Sequence, residues 1–132
     1  MTYTDKEIED IIDGNASLDL FTRMQRSPKD RDRFEKYISI LQRRVPWKDR
    51  ILLPIAEHLY IVEKDNQDRI VKCDCGQEFG DYRENWKLES QIFVRDNEEK
   101  LEEIYPGPRK PDPRVCEVRE YYCPGCGTLL EV

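Results

Sequence analysis

The sequence has no apolar run long enough to cross a bilayer. Its longest such stretch, Ile51 to Ala56, is already interrupted by Pro54, far short of the roughly 20 residues a spanning helix needs. The N-terminus is polar and acidic, without the basic head and apolar segment of a secretory signal, so a cytoplasmic location is expected. Histidine is nearly absent: His58 stands alone, and any Cys-His-Asp arrangement would have to use it. There is no phosphate-binding loop, no G-x-S-x-G and no dinucleotide fingerprint. Positive charge is in deficit, with 22 Lys plus Arg against 28 Asp plus Glu and a net charge of −6, which disfavours a nucleic-acid binder. Apolar residues are also scarce, 38% against 38% charged. A chain of 132 residues with so thin a core calls for a bound metal or a partner chain.

What is present divides at residue 48. Thr4 and Glu7 have capping-box spacing, Ile8, Ile11 and Ile12 share a face, and Gly14 can end the turn, so a helix is expected over 5–13. Ser17 can cap a second helix with Leu18, Phe21 and Met24 facing inward. Ser27-Pro28 ends it and places proline in the first turn of a third. In that third helix Phe34, Tyr37, Ile38 and Leu41 recur at i, i+3, i+4 and i+7.

Past Val45-Pro46-Trp47 the pattern becomes strand-like. Runs 59–62 and 69–72 flank a polar turn and read as a hairpin, 84–95 is another strand candidate, Asp96 caps an acidic helix to Tyr105, four prolines stiffen 106–113, and 115–122 returns as a strand. The expected fold class is α+β: a helical docking segment over 1–48, then a small antiparallel zinc-ribbon-like β domain over 49–132.

Five cysteines carry the chemistry, all in the more acidic second half. Cys73-Asp74-Cys75-Gly76 and Cys123-Pro124-Gly125-Cys126-Gly127 are two close pairs, each followed by glycine and each placed after an expected strand. In a reducing compartment such pairs read as metal ligands. Two thiolates from each tight turn supply the corners of a tetrahedron and leave no open position to activate water, so Cys73, Cys75, Cys123 and Cys126 are expected to hold a structural Zn²⁺. The Cys-x-Cys spacing departs from the usual knuckle. An iron site would make a rubredoxin-like electron carrier, but those favour two matched Cys-x-x-Cys-Gly turns and only the second pair here is one. A stand-alone zinc ribbon and redox or unpaired thiols are the other readings. Cys116 is read as a packed apolar thiol inside a strand, and His58 as a packed or surface residue. The acidic helix is read as a solvated face, and Trp47, Trp86, Tyr121 and Tyr122 as divided between core and interface.

Several unusual strings then occur in order: Ser27-Pro28-Lys29-Asp30 with Arg33-Phe34, Leu41 to Trp47, Asn85-Trp86-Lys87-Leu88, Val94-Arg95-Asp96, Glu102 to Pro106, and Arg119 to Leu129. Together with Cys73-Asp74-Cys75-Gly76 they resemble the gamma subunits of the acetone and acetophenone carboxylases over nearly the whole chain. The acetone form continues past the second cysteine pair whereas this sequence stops at Val132, so the acetophenone form is the expected match. The resemblance implies a small, non-catalytic zinc subunit of an ATP-dependent, biotin-independent ketone carboxylase. Larger carboxylase subunits would be its partners and would bind ATP with Mg²⁺ or Mn²⁺; acetophenone and bicarbonate would give benzoylacetate, in ethylbenzene-type degradation. Acetone to acetoacetate is the alternative. The resemblance carries zinc onto Cys73, Cys75, Cys123 and Cys126 and assigns no catalytic residue.

Overall fold

The computed structural model describes residues 2–132. Three helices come first, α1 (Asp5–Ile12), α2 (Leu18–Arg26) and α3 (Arg33–Arg44). The capping box at α1 forms as its spacing requires: Thr4 Oγ1 accepts from the Glu7 N–H at 3.2 Å, and Glu7 Oε2 accepts from the Thr4 N–H at 2.9 Å. Ser17 Oγ caps α2 by accepting from the Leu20 N–H at 3.1 Å. Tyr3, Ile8, Leu20 and Ile40 make the buried core of this part.

Two expectations fail here. Leu18 is 80% exposed and Phe21 about half exposed, because α2 turns Leu20 toward the core in their place, beside Met24, which packs there as expected. Pro28 does not open the third helix, which begins at Arg33. The intervening residues stay outside it because Asp30 lies buried against Arg33, with Nη2 to Oδ1 at 2.6 Å, while Lys36 reaches back to the Tyr3 carbonyl at 2.7 Å.

Seven strands follow in two antiparallel sheets. One is the meander β1 (Arg50–Ala56), β2 (Leu59–Glu63), β3 (Arg69–Cys73) and β4 (Glu78–Asp81); the other is β5 (Gln91–Arg95), β6 (Val118–Tyr122) and β7 (Leu129–Glu131). The β2–β3 hairpin lies where the sequence places it, with Leu59 opposite Cys73 and Glu63 opposite Arg69. Pro54 is tolerated because β1 is an edge strand with irregular register. The fold is α+β, as the patterning indicates. Leu41 of α3 packs with Ile51, Tyr60, Val62 and Ile70, so the helices close over one face of the first sheet.

The remaining boundaries shift. Residues 86–89 form a short 3-10 turn, and the strand begins only at Gln91. Asn97, not Asp96, caps α4 (Glu98–Glu102), its Oδ1 accepting from the Lys100 N–H at 2.9 Å. The last long strand starts at Val118, not Val115, because 113–115 turn on Asp112. Cys116 is therefore neither in a strand nor packed in a core: it is exposed, beside an 83% exposed Val115. No helix among the described residues is long and apolar enough to cross a membrane.

Candidate metal centre

The two sheets meet at the cysteines. Cys73 ends β3 and Cys75 lies in the turn to β4; Cys123 follows β6 and Cys126 lies in the turn to β7. Two hairpin turns from separate sheets thus face each other across the sulfurs. Backbone bonds fix each turn: Cys73 N–H to Gln77 O at 2.9 Å and Gly76 N–H to Cys73 O at 2.9 Å in the first, Cys123 N–H to Thr128 O at 2.9 Å and Gly127 N–H to Cys123 O at 2.8 Å in the second. Gly76 and Gly127 take φ of +100° and +76°, which L side chains resist.

All four Sγ atoms lie within 4.8 Å of one another. Cys73 and Cys126 sulfurs are 3.9 Å apart, and Cys75 and Cys123 sulfurs 3.6 Å. A tetrahedral zinc with Zn–S bonds of about 2.3 Å has sulfurs about 3.8 Å apart, so the donor set fits such an ion. Cys73 and Cys123 are fully buried, packed with Leu59, Val71 and Phe79, while Cys75 and Cys126 reach the surface.

The four thiols differ electrostatically. Burial pushes the Cys73 and Cys75 thiols up. The Cys126 thiol is pulled down to about 6, first by the Thr128 hydroxyl, whose oxygen lies 3.1 Å from the sulfur, and then by the Thr128 backbone N–H. Donation from the Gln77 N–H, 3.4 Å from Cys75 Sγ, opposes burial there. These are the contacts that favour a thiolate over a thiol.

A ring of side chains holds the first turn from behind. Trp47 Nε1–H donates to the carbonyls of Cys73 and Asp74 at 3.1 and 3.0 Å. The indole is itself held by Tyr60 in a T-shaped contact at 5.9 Å and by Lys72 Nζ, 4.9 Å from the ring centroid and 2.7 Å from Asp49 Oδ2. Asp74, between the two cysteines, accepts from Tyr60 Oη at 2.5 Å and meets His58 Nδ1 at 2.5 Å. His58 is thus turned to a carboxylate and not to sulfur. Burial, then Asp74, raises the Tyr60 phenol, which stays a donor. Trp86 contacts both Phe79 at 6.0 Å and Tyr121 at 6.2 Å, tying the sheets together beside the cysteines.

All four cysteines singled out in the sequence are therefore brought together, and Cys116 is not among them. Of the four large aromatics, Trp47 and Trp86 pack beside the cluster and Tyr121 lies against Trp86, while Tyr122 donates its hydroxyl to Glu120 at 3.0 Å. Asp74 and Thr128 were missed; the only sequence signal for either is a polar residue one or two places from a cysteine. Four sulfurs at tetrahedral spacing can close the shell of one soft divalent ion.

Comparison with known proteins places this geometry in context. A model of the family described as "Acetone carboxylase gamma subunit" matches residues 45–132, the stretch that holds both sheets and all five cysteines. The acetone carboxylase gamma subunit of Xanthobacter autotrophicus (strain Py2) is 45% identical over 133 residues, covering 100% of this chain and 79% of that protein.

Proposed function

The chain belongs to the acetone carboxylase gamma-subunit family, and we propose that it is the zinc-stabilised, non-catalytic subunit of an ATP-dependent, biotin-independent ketone carboxylase in the cytoplasm. The observation that carries this is the conjunction of 45% identity along the whole chain with four sulfurs clustered within 4.8 Å. Cys73, Cys75, Cys123 and Cys126 hold the ion. A structural zinc site of this kind contributes folding free energy on the order of 10 kcal/mol, which offsets the thin apolar supply of residues 49–132. Residues 1–48 are the docking segment, a reading supported by the exposed apolar side chains Leu18, Phe21 and Phe34 of its helices. ATP and its metal belong to the larger subunits.

The carboxylated ketone is acetone in the name of the matched relative. Acetophenone, giving benzoylacetate, is the second reading, since the ordered strings from Ser27 to Leu129 resemble both forms.

The test is native affinity purification of the tagged chain from its source cells. Larger carboxylase subunits should co-elute with about one zinc per copy of this chain and no visible absorbance. The complex should then hydrolyse ATP only with bicarbonate and one of the two ketones, which identifies the substrate. A chain that elutes alone defeats the subunit reading, and a coloured protein with iron defeats the zinc assignment.

A further inference from the structure

Away from the cysteines, the helical part carries an open apolar hollow of about 340 Å³ between α1, α2 and α3. Its floor includes Ile8, Ile11, Phe21, Met24, Phe34 and Tyr37. A second hollow continues it on the far side of Ile11 and Phe21, reaching Leu18. The most exposed apolar side chains of the three helices, Leu18 at 80%, Phe34 at 48% and Phe21 at 46%, all border this track. A free surface of that kind is unfavourable in a monomer.

The charge on its α2–α3 side runs against the rest of the molecule, whereas α1 on the other side is acidic. The chain is −6 overall, yet residues 23–36 hold six cations and three carboxylates. The carboxylates Asp30 and Asp32 are taken up by Arg33 and Lys36, and Arg23 pairs with Glu7. Arg26, Lys29 and Arg31 are exposed and have no ion pair among the described residues. Lys29 and Arg33 stand at the hollow itself. An apolar floor with the unpaired Lys29 on its rim, and the unpaired Arg26 and Arg31 in the same segment, complements one kind of ligand: a segment with apolar side chains one helical turn apart and a carboxylate beside them. A phosphate backbone would match the cations but leave the floor uncovered.

We infer that the track formed by α1, α2 and α3 receives an amphipathic, acidic helix of a larger carboxylase subunit, its apolar side chains seated on either side of Phe21 and a carboxylate paired with Lys29. This rests on the subunit reading above and names the contact through which it works.

The test uses the native complex. Zero-length carbodiimide coupling, followed by peptide mapping, should join Lys29 to an Asp or Glu of a larger subunit within a stretch whose apolar residues recur at three to four positions. F21D/F34D and K29E chains should recover at least tenfold less of the larger subunits than wild type, while their circular dichroism and zinc content stay unchanged. Three results overturn the inference: Lys29 coupled only to a second copy of this chain, Lys29 coupled to nothing, or full recovery of the complex by both variants. If the wild-type chain recovers no larger subunit at all, it is the subunit reading that falls.

Discussion

The indole N–H of Trp47 bonds the carbonyl of Cys73 at 3.1 Å, so the segment leaving α3 holds the turn that presents the first two sulfurs. A second bond at 3.0 Å to the Asp74 carbonyl makes Trp47 the shared donor for both peptide groups. W47F keeps most of the ring and removes the donor. It should cost about 1–3 kcal/mol, the penalty of leaving part-buried carbonyls without a partner, and should weaken zinc retention against a competing chelator. W47A should cost more, because the ring's packing against Tyr60 and Lys72 goes too. A W47F protein with wild-type melting temperature and zinc affinity would show that the bond does not hold the turn.

Thr128 favours the thiolate form of Cys126, one of the four sulfurs of the cluster. Its hydroxyl and N–H favour the Cys126 thiolate and bring that group from 9.0 down to about 6. A folded-state value below the unfolded one gives stability that is fully present above pH 9 and is lost as pH falls through about 6. Protons compete with the metal for the same sulfurs, so zinc should be released on acidification through that range. T128V removes the hydroxyl, raises the thiol, and should move the midpoint of zinc release to higher pH; T128S should restore it. A metallochromic indicator read across pH 5–8 checks this, and an unmoved midpoint in T128V would contradict it.

Gly125 has a steric reason to be glycine that its backbone angle does not supply. A Cβ there would meet Gln77 Oε1 at 3.0 Å and Cys75 Sγ at 3.2 Å, across the gap between the two turns. The Gln77 amide can swing away, but the Gln77 Cβ, also at 3.2 Å, and the Cys75 sulfur are held by the turn. G125A should therefore cost about 1–3 kcal/mol as overpacking and lower zinc affinity. G14A is the contrasting case: φ is +71° with open space around it, so strain of about 1 kcal/mol should lower the melting temperature and leave zinc content at one per chain. Paired calorimetry and metal analysis separate the two.

Local signals were legible in the sequence and long-range ones were not. The α1 capping box, the Ser17 cap, the β2–β3 hairpin and the two cysteine turns are each written within a few residues, and each forms there. Leu18 misled because periodicity fixes the spacing of an apolar face and not its rotation; Leu20, two residues on, is the side chain that packs against Ile8 and Ile40. Strand β4, Glu-Phe-Gly-Asp, has little β propensity and pairs with β3 beyond the first cysteine turn. Cys116 misled because Val115 and Val118 suggest a strand, whereas the Asp112 carbonyl accepts from both the Val115 and Cys116 N–H groups and holds them in a turn. At the site, the donor residues were readable but the Trp47 and Asp74 contacts join parts of the chain that no short window spans.

Arg95 shows the same principle in the second sheet, where it is the one arginine enclosed by its partners. Its Nε and Nη2 reach Glu120 at 3.2 and 3.3 Å, and its Nη1 donates to the Lys100 carbonyl at 2.6 Å and to Glu103 at 2.8 Å. These bonds staple α4 to β5 and β6, and the side chains of Arg95 and Glu120 are both nearly covered. Arg50, by contrast, meets Glu63 in an open pair at 2.9 Å. Removing an enclosed partner strands the opposite charge, while an open pair is replaced by water. R95L should therefore lower the melting temperature of the zinc-loaded protein well beyond R50L, and adding E120L to R95L should recover part of that loss because no stranded carboxylate remains. Equal melting temperatures for R95L and R50L would mean that water reaches Glu120 and that α4 is held by its own cap and by Leu101 alone.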